Sequence, residues 1–238
     1  EAVKASLWFT ICSILQKGIS FITVPIFTRM LSTEEYGIIS LFGAWQSILT
    51  IFATLNLSNQ IFNNGMVKYE KDQDGYTTAM LGLSNFATAL VFMLYLVFHT
   101  ALDKIFELPM SAIIMMFIGF FFSAATSLWT VHQRYKFKYK LLCFVTLIVS
   151  LGSALLGVLF VRLENVGIAR ILGDTITITA IGLLIYVLIV KKNHELFNVT
   201  YWKYALKLDL PLIPHYLSMT VLGSSDRIMI NNLCGKSY

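Results

Sequence analysis

Side chains able to do chemistry stand inside apolar runs, where charge is costly, among them Lys17, Asp174, His215, Asp226 and Arg227. Lys17 belongs to the series Ser6, Thr10, Ser13, Lys17 and Ser20, spaced by four, three, four and three residues. That spacing puts all five on one face of a helix. Ser40, Ala44, Ser47, Thr54 and Ser58 repeat the idea in the next run. Hydroxylated and small residues on such a face suit close helix packing as well as they suit a polar ligand. A lysine is different. At mid-membrane it costs about 2.5–3.5 kcal/mol on insertion scales, so it should face protein or a wet cavity. Lys17 lies about eleven residues from each end of its run, too deep to snorkel easily.

The last run carries more ionisable groups. His215 and Asp226 are eleven residues apart, three helical turns, and share a face with Met219 and Leu222. Ser218 and Ser225 lie on an adjoining stripe. Asp226 and Arg227 are adjacent. They read either as an ion pair neutralised against a neighbouring helix or as part of a polar lumen. Asp174, near the start of the sixth run, reads as a helix-terminus charge or as a cavity residue. Prolines punctuate two runs, with Pro25 expected to kink the first and Pro214 to bend the entry to the last.

Enzyme signatures are missing. The sequence has no GxSxG, HExxH, P-loop or paired carboxylates in a common loop. His99, His132 and His194 fall at or beyond the ends of apolar runs, where a solvated histidine is expected. Cys12, Cys143 and Cys234 each stand alone in an apolar segment and read as small core residues. No catalytic residue, metal site or cofactor is expected.

These groups must be positioned by membrane helices. Of 238 residues, 57% are hydrophobic and 13% charged, with mean hydropathy +0.72. A soluble domain carries about 25% charge, so most of this surface has to meet lipid. Seven windows are long and apolar enough to span: Ser6–Thr28, Gly37–Asn59, Thr77–His99, Met110–His132, Leu141–Val161, Ile168–Val190 and Leu210–Asn232. Barrel strands would be shorter and would alternate in polarity. The fold class is therefore all-α, a polytopic transmembrane helical bundle.

The gaps between runs hold most of the charge, and they hold it unevenly. With the N-terminus cytoplasmic, eleven Lys and Arg fall on the inner side and four in the outer loops. That bias predicts an N-in topology. The net charge of +5 then belongs to membrane-surface loops such as RYKFKYK at 134–140 and not to nucleic-acid binding. Residues 191–209, with Tyr201, Trp202, Tyr204, Lys203 and Lys207, suit an interfacial amphipathic segment. The expected organisation is a six-helix bundle over 1–192, a cytoplasmic or interfacial linker over 193–209, and the first helix of a second bundle over 210–238. The sequence starts at Glu1 without an initiator Met and stops just after an apolar run, as expected of a fragment.

Two stretches resemble a known family. ILQKGISFITVPIFTRMLSTEEYG at 14–37 carries Pro25, Thr28, Arg29, Leu31, Glu35, Tyr36 and Gly37. LDLPLIPHYLSMTVLGSSDRIMINNLCG at 208–235 carries Pro211, Pro214, His215, Asp226 and Arg227. Both resemble bacterial polysaccharide-biosynthesis flippases, the O-antigen and capsule repeat-unit exporters of the multidrug/oligosaccharidyl-lipid/polysaccharide superfamily. The resemblance implies two related six-helix bundles and alternating access in the bacterial inner membrane. It implies a substrate too: an undecaprenyl-pyrophosphate-linked oligosaccharide, flipped to the outer leaflet. Lys17 and Arg227 would meet the anionic substrate. Asp226 and His215 would carry a coupling proton or tune Arg227, and Asp174 joins them as an ion-coupling or ion-pair residue. Membrane lipids, and glycosyltransferases or a polymerase of the same pathway, are the expected partners. Three rivals stand beside this reading: a drug or cation antiporter of the same superfamily, a non-transporting scaffold for polysaccharide assembly enzymes, and an intramembrane polymerase or acyltransferase, which should show a large outer loop with catalytic residues.

Overall fold

The structure is a computed structural model that describes residues 2–164 and 166–234. Among these, helix is the regular structure and no strand occurs. The helices are α1 (Ala2–Met30), α2 (Thr33–Thr54), α3 (Gln60–Lys68), α4 (Gln73–Phe106), α5 (Met110–Tyr135), α6 (Tyr139–Glu164), α7 (Gly167–Lys192), α8 (Val199–Asp209) and α9 (Ile213–Cys234). Short 3-10 turns precede α4 and α9.

Six segments are long and apolar enough to cross a membrane: Ser6–Met30, Thr33–Thr54, Glu70–Phe106, Met110–Tyr135, Tyr139–Glu164 and Gly167–Lys192. At 1.5 Å per residue, each covers the ~30 Å hydrocarbon core. The seventh expected span does form a helix, α9, but is not among these six. Its Ser, Thr and Asn residues and the Asp226–Arg227 pair dilute its hydropathy. The outer faces carry a greasy belt. Phe21 of α1, Val97 of α4, Leu155 of α6 and Leu184 of α7 are each 66% exposed or more. Apolar surface this continuous is untenable in water.

Packing runs through α7, which lies against both α5 and α6, while α1 attaches to the bundle through α6. α2 sits between α4 and α9. Small residues permit the closest approach. A Cβ on Gly173 would lie 2.7 Å from the backbone nitrogen of Gly157, so α6 and α7 touch nearly backbone to backbone. One apolar cluster around Leu57, Phe62, Tyr76, Met80 and Trp129 fills the end that carries the basic loops. A second, around Phe42, Tyr95, Ile113 and Phe117, fills the opposite half.

Local chemistry sets several boundaries. Ser32 caps α2 by accepting the Glu35 N–H at 3.2 Å. α2 ends at Thr54, five residues before the window read from sequence, because Leu55 and Asn56 both adopt left-handed backbone. The Thr54 hydroxyl accepts the Asn56 N–H at 3.3 Å and helps fix that break. α1 continues as helix past Pro25 to Met30; the non-helical residue inside a long helix is instead Phe98 in α4. Asn198 caps α8, accepting from Thr200 and Tyr201. α8 is then pinned to the bundle. Trp202 Nε1 donates to the Ala79 carbonyl at 2.8 Å, and the Tyr201 hydroxyl to Asp72 at 2.8 Å.

Candidate functional site

Lys17 is exposed at the middle of α1, as are Ser6, Thr10, Ser13 and Ser20. The adjoining flank of α1 meets α6. There Gln16 Nε2 reaches the Thr146 carbonyl at 3.4 Å and the Ser150 hydroxyl at 3.3 Å, and Cys12 Sγ lies 3.1 Å from Thr146 Oγ1. The stripe itself meets no other part of the described chain closely enough to be buried. Its hydroxyls are partly self-sufficient. Thr10 donates to the Ser6 carbonyl at 3.0 Å and Ser20 to the Gln16 carbonyl at 3.2 Å. Such back-bonded hydroxyls need no further acceptor. The demand for a polar environment on this face therefore rests on Lys17.

Asp174 forms an ion pair with Arg170, one turn earlier on α7. The Arg170 guanidinium lies 4.6 Å from the Phe27 ring of α1 and packs its stem over Gly157 of α6. The pair thus closes the α1–α6–α7 corner at the end opposite the basic loops. His215 is exposed on α9, its ring 6.0 Å from that of Tyr216. Asp226 and Arg227 lie in the α9 backbone, but their side chains fall outside the described part. The structure does not bring Lys17, Asp174 and His215 into one cluster.

It does gather polar residues that the sequence reading did not single out. A cavity of about 90 Å³ is lined by Thr50, Thr54, Asn56, Ser58, Ser84, Ser123 and Ser127. It lies beside the break after Thr54, at the end of α2 where that helix packs against α4 and α5. The Ser84 hydroxyl is buried there without a hydrogen-bond partner among the described residues. A second cavity, of about 330 Å³, shares Ser58 and adds Asn59, Asn63, Arg134 and Tyr216. Thr54 and Ser58 belong to the polar stripe of the second run, and Ser123 and Ser127 share one face of α5 by their spacing of four; packing brings these two faces and Ser84 of α4 together.

His132 corrects an expectation. It is 4% exposed instead of solvated, because α5 continues to Tyr135 and carries it between α4 and α7. Its Nε2 lies 3.7 Å from Asp74. Lys136 and Lys192 reach the same carboxylate at 3.8 and 3.6 Å, so Asp74 ties α4, α5 and α7 together at the basic end. Cys12 and Cys143 are buried free thiols, as expected of small core residues. Among the described residues no cluster of His, Cys, Asp and Glu has metal-binding geometry.

No curated protein and no solved structure matches this chain. A family model described as polysaccharide biosynthesis protein matches residues 2–237. With six membrane-spanning helices and that match over nearly its whole length, the chain is a multi-pass membrane protein belonging to the polysaccharide biosynthesis protein family.

Proposed function

We propose that this protein is a transporter and not an enzyme. It flips an undecaprenyl-pyrophosphate-linked oligosaccharide repeat unit across the bacterial inner membrane, for O-antigen or capsule assembly, by alternating exposure of a polar face to the two sides. The single observation that carries this reading is Lys17, a cation exposed at the centre of a spanning helix. A cation held at that depth suits an anion that must cross, and a pyrophosphate is such an anion. The neutral hydroxyls around it suit sugar, while the lipid tail stays in the bilayer.

The test is surface polysaccharide in a flippase-deleted strain carrying full-length variants at equal membrane level. Lys17→Ala should lower it by roughly tenfold or more, the loss expected for one hydrogen bond to a charged group. Lys17→Arg keeps the charge and should retain part of the export. Normal surface polysaccharide with Lys17→Ala would end the substrate-cation role.

A further inference from the structure

Asp209 is the last residue of α8 and is 0% exposed. Neither carboxylate oxygen has a hydrogen-bond partner among the described residues. An ionised carboxylate left so is among the costliest arrangements a protein can hold. A neutral acid in the same place costs far less. Its surroundings are apolar: Ala205, Leu208 and Leu212 belong to the cluster built on Leu57, Ile61 and Phe62.

The charged and titratable groups nearby are engaged elsewhere or face away. Lys68 of α3 sits over the Tyr204 ring at 3.9 Å, and Asp72 accepts from Tyr201. Lys207 of α8 and His215 of α9 are exposed. Arg134 of α5 lines the cavity beside Tyr216. Tyr216 of α9 feels the charge of Asp209, and its hydroxyl is hydrogen-bonded with Asn59 ahead of α3. Burial alone pushes Asp209 from 3.8 up to about 7.

Position gives this group leverage. α8 is fastened to the bundle by Trp202 and Tyr201. α9 follows after a 3-10 turn at Leu210–Leu212 that contains Pro211, with Pro214 in the next turn. Asp209 is therefore the point where a fixed helix hands over to one joined through a short irregular turn.

We propose that Asp209 is a proton-binding site at the α8–α9 joint, docked when neutral and undocked when ionised, so that the proton sets how firmly α9 is held. This does not depend on what the protein carries. The sign follows from the direction of the shift. The folded chain holds the proton more tightly than the unfolded chain, so this contribution is full below about pH 4. It is lost as pH rises towards about 7, and is flat above.

The experiment is thermal unfolding of the full chain in detergent from pH 5 to pH 9, with Asp209→Asn as the comparison. Relative to Asp209→Asn, the wild type should lose about 5 °C or more between pH 5 and pH 7.5 and then level off. Asp209→Asn should exceed the wild type at pH 8. Should the amide variant not fold, Asp209→Leu is read in the same way. The infrared carbonyl band of a protonated carboxylic acid at pH 6 should be weaker in either variant. Parallel pH curves, an unchanged infrared band, or a wild type more stable than Asp209→Asn at pH 8 would overturn the proposal. So would a stability at pH 8 that depends on sodium in the wild type alone, since the ligand would then be a metal cation.

Discussion

The Glu35 carboxylate accepts the backbone N–H of Gly167, joining the start of α2 to the start of α7 across 132 positions of sequence. The contact gives a physical role to Glu35 of the Glu35-Tyr36-Gly37 motif. A carboxylate at a helix N-terminus satisfies an orphan N–H and meets the positive end of the helix dipole. Gly167 leaves room for it, since a Cβ there would lie 2.3 Å from the Glu35 carbonyl. Glu35 also has its own N–H held by Ser32, so one residue ties two helix starts together.

Glu35→Ala should therefore lower stability by about 1 kcal/mol, and Glu35→Gln, which keeps an acceptor, by less. Gly167→Ala should be at least as damaging as Glu35→Ala. Thermal unfolding of the detergent-solubilised chain ranks the three, and a fully stable Gly167→Ala would contradict the contact.

Two buried glycines should respond in opposite directions. Gly173→Ala forces α7 off the α6 backbone and should cost about 1–3 kcal/mol. Gly119 is buried in α5, yet a Cβ there meets nothing within 4 Å. Gly119→Ala should raise stability by about 0.5–1 kcal/mol through helix propensity. Unfolding temperatures of the two variants, measured side by side, check the pair.

The basic end carries RYKFKYK and the Asp74 hub, and the charge bias predicts that it faces the cytoplasm. A thiol introduced as Lys138→Cys in a cysteine-free background should resist an impermeant reagent added to intact cells. It should react once the membrane is opened. Labelling in intact cells would invert the topology.

Much of this protein is set by sequence alone, because each span is a local property. Lengths of about 20 apolar residues, the gaps of charge between them and the depth of Lys17 follow from helix rise and period without knowing any neighbour. So does the face shared by Ser6, Thr10, Ser13, Lys17 and Ser20. The tertiary structure decided what depends on pairs of elements. Nothing near His132 says that it is buried; α4 and α7 bury it. Asp74, Lys136 and Lys192 are solvated charges until three helices converge. The break at Leu55 and Asn56 carries no glycine to announce it, and its left-handed backbone is sustained by the packing around it. Beside that break, hydroxyls from α2, α4 and α5 meet in one cavity, which cannot be read from any one of them. Asp209 looked like an ordinary polar residue at the edge of an interfacial segment. Only the docking of α8 against the bundle takes away its water and makes its charge expensive.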